Sequence, residues 1–175
     1  MIRTGDPRRH VSFVIRKLCL ALGHFEDTGA PPSISLMEMG SSFEDTVARS
    51  LAARWASSTD PALRGRYVQP GELELDGLIG TPDLFDTIDN VMIEVKLTKI
   101  SSRNDIESTK FWKYWVQLMA YCHMMGTRTG RLHIGHINGD YSRTAGPDVI
   151  YNVWEDTFSP RQLADNWRML VSHSD

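Results

Sequence analysis

The segment PDLFDTIDNVMIEVK, residues 82–96, constrains this chain more than any other. Leu84, Phe85, Ile88, Val91, Met92, Ile93 and Val95 read as a buried β-hairpin, yet Asp83, Glu94 and Lys96 interrupt its apolar runs. A lone charge in a low-dielectric interior is strongly disfavoured, so such groups are paired, metal-bound or neutralised. Strand parity removes much of the conflict. In IEVKL, Glu94 and Lys96 point to one side while Ile93, Val95 and Leu97 point to the other. With Asp89-Asn90 as a tight hairpin turn, Asp83 would lie opposite Lys96 and Phe85 opposite Glu94. Diagonal neighbours on one face are roughly 7–8 Å apart, so Asp83, Glu94 and Lys96 are expected to converge.

Two carboxylates, with further oxygens from backbone and water, suit a hard cation such as Mg²⁺ or Mn²⁺. Such an ion polarises a phosphoryl oxygen and lowers the pKa of a bound water. A lysine beside it can orient or deprotonate that water, or stabilise charge developing on phosphorus. The combination is a kit for hydrolysing a phosphodiester. The competing reading of the same residues is a surface salt bridge, which needs no ligand.

The surrounding periodicities set the architecture. VSFVIRKLCLALG, residues 11–23, has helical apolar spacing and closes on Gly23. A second helix is expected over 39–55, with Phe43, Val47, Leu51 and Ala52 on one stripe. From Arg66 the period shortens: RYVQPGELELDGLIGTPDLFD and NVMIEVKLTKI read as successive antiparallel strands. A helix follows over 107–125, ending at Gly126, then strands RLHIGHI and DVIYNVW. A last helix opens at Ser159-Pro160, an N-cap followed by proline at N1. The order α-α-β-β-β-α-β-β-α predicts an α/β or α+β domain built on a mixed central sheet.

With 175 residues, 41% hydrophobic and 23% charged, a single soluble domain over 1–175 is expected. Within it, residues 1–30 form an N-terminal helical extension, the motifs lie within 40–121, and 159–172 form the C-terminal helix. The net charge of −3 excludes a broadly basic nucleic-acid binder but not a carboxylate-rich metal site. Two cysteines, Cys19 and Cys122, are too few for a disulfide framework or a four-thiolate iron–sulfur cluster. No leader-like apolar stretch and no run of about 18 apolar residues is present, so a cytoplasmic protein without membrane contact is expected.

The flanking helices add to the hairpin. GSSFEDTVARSLA has the form G-x-x-x-E, with Gly40 and Glu44 near a helix start. FWKYWVQLMAYCHMMG places Gln117 and Tyr121 four residues apart on one helix face, with Lys110, Lys113 and Tyr114 along or beside it. A face presenting Lys, Lys, Gln and Tyr is suited to following a phosphate backbone. Taken alone, Glu44 is an ordinary acid favoured by a helix dipole, and Gln117 and Tyr121 a half-exposed helix edge.

The ordered set Gly40/Glu44, Pro82-Asp83, Glu94-x-Lys96 and Gln117/Tyr121 resembles the PD-(D/E)xK nuclease superfamily. Within it, the set is similar to the exonuclease branch typified by the RecB nuclease domain, the CRISPR-adaptation nucleases and phage lambda exonuclease. The resemblance implies a restriction-endonuclease-like core in α-β-β-β-α-β order and a Mg²⁺- or Mn²⁺-dependent deoxyribonuclease, most simply an exonuclease. It implies Asp83 and Glu94 as metal ligands, with the Val95 carbonyl as a further ligand. Glu44 would be a direct or water-mediated ligand. Lys96 would position or activate the attacking water. Gln117 and Tyr121 would hold the DNA end or the lysine, with Lys110 and Lys113 on the DNA.

Many RecB-type members carry His where this chain has Glu44, which brings it nearer the lambda-exonuclease pattern. The iron–sulfur cysteines are absent, as is any G-x-x-x-x-G-K-[ST] nucleotide loop. Processivity would therefore come from a recombination or replication partner or from a homo-oligomer. The compact chain points to a phage or mobile-element origin. The rival expectations are a structure-specific or restriction-like endonuclease, and a nuclease-fold protein that binds without cutting.

Other conspicuous residues have structural readings. His133 and His136 are expected on opposite faces of a strand, an arrangement that disfavours chelation by the pair. Phe111, Trp112, Trp115, Met124 and Met125 are expected in the core. Arg3, Arg8, Arg9, Arg16 and Lys17 form either a solvated basic face or an arm on DNA phosphate. Asp76 is a neighbour that could support a metal site without being counted in it.

Overall fold

A computed structural model of the chain describes residues 6–24, 34–137 and 149–174. Arg3 and the connection 138–148 lie outside them. A 3-10 turn at Pro7–Arg9 leads into helix α1 (Val11–Ala21), α2 (Ile34–Ala56) and the short α3 (Pro61–Arg64). Strands β1 (Tyr67–Val68), β2 (Leu73–Leu75), β3 (Leu78–Gly80), β4 (Leu84–Asp86) and β5 (Val91–Thr98) follow. The chain continues through α4 (Trp112–Met125), β6 (Thr129–Ile137), β7 (Val149–Thr157) and α5 (Pro160–Val171).

The main sheet runs β1-β4-β5-β6-β7, while β2 and β3 pair in a separate hairpin. Only β5 and β6 are parallel, joined by the α4 crossover; the other pairs in the sheet are antiparallel. This is the mixed α+β core expected from the sequence. One expectation needs correction: the strands from Arg66 to Asp86 do not form one meander. Gly71 and Gly77, both at φ +81, and Asp76, at φ +47, turn residues 69–80 out of the sheet as an independent hairpin. The chain then returns to pair β4 with β1.

Two apolar layers cover the sheet, as alternation along β5 requires. Val91, Ile93 and Val95 face α2, where they pack with Val47, Leu84, Phe43, Ala48 and Leu51. On this helix Ala48, rather than Ala52, completes the stripe, and the helix begins five residues before the expected start. Met92 faces the larger core, shared by α1, α4 and α5. There α1 buries Val11, Val14, Ile15, Leu18 and Cys19, a one-sided helical stripe. Phe111 is buried in this core, with Trp112, Trp115, Met124 and Met125 packed against it, as expected.

Helix ends follow local chemistry. Ser159 and Gln162 form a reciprocal capping box with Pro160 at N1 of α5. Gly126 ends α4 in the left-handed region at φ +70. The start of α4 is later than expected, at Trp112. Asp105 Oδ1 accepts the Glu107 N–H at 2.9 Å, and such a side-chain turn competes with helix. Lys110 consequently precedes the helix.

Candidate active site

Pro82 is the local cause of the site. It has no N–H for a ladder, and paired β4 begins only at Leu84. The edge of β5 beyond Ile93 therefore lacks a β4 backbone partner. Asp83 takes that place: its Oδ2 accepts the Val95 N–H at 2.8 Å. The N–H and C=O of one strand residue point to the same edge, so the Val95 carbonyl also faces the Asp83 side.

The hairpin register corrects the expected one. Leu84 pairs with Ile93, Phe85 with Met92 and Asp86 with Val91. Phe85 is thus opposite Met92, not Glu94, and the ladder extends toward Asp83 opposite Glu94 rather than Lys96. The turn spans Thr87–Asn90 instead of Asp89-Asn90 alone. Asp86 explains the difference. Its Oδ1 accepts the N–H groups of Ile88 and Asp89, both at 3.2 Å, and its carboxylate is gripped by Arg66. Asn90 closes the turn at φ +56. The shift is two residues, so the expected shared face survives.

On that face Lys96 lies between two carboxylates. Its Nζ pairs with Glu94 Oε1 and lies 3.9 Å from Asp83 Oδ2. The Glu94 side chain is 1% exposed, against 20% for Asp83 and 18% for Lys96. Neither Glu94 oxygen accepts a hydrogen bond of regular geometry. Burial and the nearby Asp83 charge push the Glu94 carboxyl up to about 8, with Lys96 opposing them. Burial works against the Lys96 ammonium, but Glu94, Asp83 and Glu44 together raise it well above its ordinary value.

Helix α2 brings Glu44 close enough for its charge to act on both Glu94 and Lys96. It does not complete a compact metal cage: among the described residues no three His, Cys, Asp or Glu side chains are grouped to hold an ion. Helix α4 supplies Gln117, whose Nε2 donates to Tyr121 Oη at 2.9 Å. Tyr121 is buried, and its phenol is pushed up by that burial and by the Glu94 charge. Cys122 beside it is pushed up to about 12 for the same two reasons.

The lysines flanking α4 do not form the expected row. Lys110, before the helix, donates to Asn104 Oδ1 at 2.8 Å. Lys113 lies over the Tyr114 ring, 4.9 Å from its centroid, and its charge acts on Cys19 of α1. Tyr114 itself is buried in the core. Asp76 accepts the Trp167 indole N–H at 2.8 Å, tying the β2–β3 hairpin to α5. His133 contacts Tyr151, while His136 Nδ1 contacts the Ile100 carbonyl at 2.8 Å, so the two histidines have separate settings.

Gly80 is the site residue that motif reasoning passed over. A Cβ built there would stand 2.8 Å from Tyr121 Cε1 and 2.7 Å from Met124 Sδ. Its absence lets the Tyr121 ring seat against β3. The available signal was a glycine inside the apolar run LIG, just before Pro82-Asp83, since strand glycines mark close approach.

A phage-related exonuclease from Haemophilus somnus 129PT superposes with a TM-score of 0.55 at 10% identity, covering 93% of this chain and 78% of that one. An alkaline exonuclease from Laribacter hongkongensis gives 0.55 at 17% identity, over 94% and 84%. The same exonuclease in complex with dAMP gives 0.52 at 16% identity, over 95% and 87%. No protein-family model and no curated protein sequence matches the chain. Its mixed sheet and flanking helices are the fold of the PD-(D/E)xK-type exonucleases that its four motifs resemble.

Proposed function

We propose that this chain is a metal-dependent deoxyribonuclease that degrades DNA from its ends, with Mg²⁺ or Mn²⁺ bound at Asp83 and Glu94. One observation carries the reading. A buried carboxylate, neither oxygen of which accepts a regular hydrogen bond, shares a single lysine with a second carboxylate beside an interrupted strand edge. The donor chemistry fits a hard cation: Asp83 Oδ1, both Glu94 oxygens and the Val95 carbonyl are all oxygen, and Glu44 adds negative charge nearby. A bound divalent ion would supply Lewis acidity toward a phosphoryl oxygen and a more acidic water.

The chain's own residues have distinct tasks in this reading. Asp83 uses Oδ2 to hold the β5 edge, leaving Oδ1 to face a ligand. Lys96 stays protonated among three carboxylates, so Nζ acts as a donor and positive charge. It would orient the attacking water or stabilise charge on the phosphate, while proton removal falls to another acceptor. Gln117 donates to Tyr121 Oη, which directs the Tyr121 hydroxyl proton to a different acceptor. The burial-raised phenol keeps that proton, making Tyr121 a neutral donor suited to a phosphate oxygen. The similar structures are exonucleases, one of them in complex with dAMP, which supports DNA as the substrate and ends as the point of entry.

The test uses duplex DNA labelled at each end in turn, and covalently closed circles, with Mg²⁺ or Mn²⁺. The expected result is stepwise loss from linear ends, intact circles, and a fall of at least about 100-fold for Asp83→Asn, Glu94→Gln and Lys96→Ala. Cleaved circles would replace the exonuclease with an endonuclease. Cleavage unchanged in all three variants would refute the site.

A further inference from the structure

We propose that the aromatic pocket between α4, β7 and the start of α5 is a docking site for a lysine- or arginine-bearing segment of a protein partner. The cavity holds about 480 Å³, within the roughly 300–1,000 Å³ typical of ligand sites. Trp115, Trp154 and Phe158 form apolar walls, and Glu107, Glu155 and Asp156 stand among them; among the described residues no lysine, arginine or histidine lines it.

Aromatic faces beside carboxylates make the pairing that a basic side chain satisfies. The aliphatic stem packs on the rings, and the cation meets both the ring quadrupole and the carboxylates. The rings are held in place. The Trp115 indole N–H donates to the Ile106 carbonyl at 3.1 Å, and its ring meets Phe158 edge-on at 6.3 Å. Glu155 already pairs with Arg131 at 2.6 Å, and Asp156 Oδ1 accepts the neighbouring Thr157 N–H at 2.7 Å. Glu107 and Asp156 therefore carry most of the uncompensated negative charge.

The same charges repel a phosphate backbone, which separates this pocket from any DNA path. Helix geometry separates it too. Trp115 and Met119 are each two residues before Gln117 and Tyr121, about 200° around α4. A segment seated there leaves the Asp83–Glu94–Lys96 face open. It could hold the partner on the chain without blocking the site, and the proposal does not depend on nuclease activity.

The probe is an acetylated hexapeptide alternating leucine and lysine, compared with its leucine–glutamate counterpart, read by calorimetry and tryptophan emission without DNA. The basic peptide should bind saturably, and Glu107→Gln/Asp156→Asn should weaken it at least tenfold. Trp115→Phe should reduce the emission change, and the double variant should keep wild-type DNA cleavage. Equal binding of the acidic peptide, or equal affinity in the double variant, overturns the proposal. So does a dimer in sedimentation that the double variant dissolves, because a second copy would then be the occupant.

Discussion

Asp83 Oδ2 accepts the backbone N–H of Val95 at 2.8 Å, at the point where Pro82 has ended the β4–β5 ladder. One carboxylate thus completes a strand edge and lies within 3.9 Å of Lys96. The two tasks can be separated. Asn keeps an acceptor oxygen but loses the charge, so Asp83→Asn should melt within a few degrees of wild type while cleavage falls at least about 100-fold. Asp83→Ala should lose cleavage and also about 1–3 kcal/mol of stability, because the Val95 N–H loses its acceptor. Denaturant titration beside a nuclease assay distinguishes them; equal stability for the two variants would refute the edge-capping role.

Glu94 and Lys96 give a second separation. Glu94 is buried, and Lys96 is the cation paired with it. Removing one partner of a buried pair leaves the other uncompensated, at a typical cost of about 3–5 kcal/mol. Lys96→Met should destabilise the metal-free protein by less than that, because the Glu94 carboxyl, already pushed up to about 8, neutralises by taking a proton. Millimolar Mn²⁺ should restore more than half of the lost melting temperature without restoring cleavage. If Mn²⁺ leaves the melting temperature unchanged in both proteins, the carboxylates are not a metal site.

Gly80 and Tyr121 make a packing test. A methyl group at position 80 would lie 2.8 Å from the Tyr121 ring and 2.7 Å from Met124 Sδ. The flexible thioether can move; the ring, bound through its hydroxyl to Gln117, moves only by leaving that bond. Gly80→Ala should therefore cost about 1–3 kcal/mol and lower kcat. Adding Met124→Ala should recover stability in part but not kcat, since the ring contact remains. Full recovery of kcat in the double variant would show that the sulfur, and not Tyr121, was the affected group.

The face on which Asp83, Glu94 and Lys96 meet was legible from strand parity alone, because a register error of two residues preserves parity. The turn position was not legible. It depends on Arg66 reaching Asp86 across 20 residues, a contact that no local pattern announces. The cap at Ser159, Pro160 and Gln162 was readable because capping is a local exchange of hydrogen bonds. Lys110 was misplaced because the Asp105 turn competes with helix just upstream. Gly80 was passed over because its partner Tyr121 lies on a helix beyond two further strands, and only tertiary packing joins them.

His133 gives a pH test away from the carboxylates. It is 4% exposed on β6, Nδ1 contacts Tyr151 Oη, and Nε2 is buried without a partner. Burial, with Arg131 nearby, pushes the imidazole down from 6.5 to about 4. The folded protein therefore holds His133 neutral where the unfolded chain has begun to bind a proton. Its contribution is complete above about pH 6.5 and is lost progressively as pH falls toward 4. The full difference is about 3 kcal/mol at order-of-magnitude precision. Replacing the titrating ring with an amide removes this term, so His133→Gln should flatten the stability profile between pH 6.5 and 4. Above pH 7 the variant should be less stable than wild type, since the fitted ring and its Tyr151 contact are lost. Chemical denaturation at half-unit pH steps reads both effects. An acid limb that is equally steep in wild type and variant would assign the proton uptake to another group.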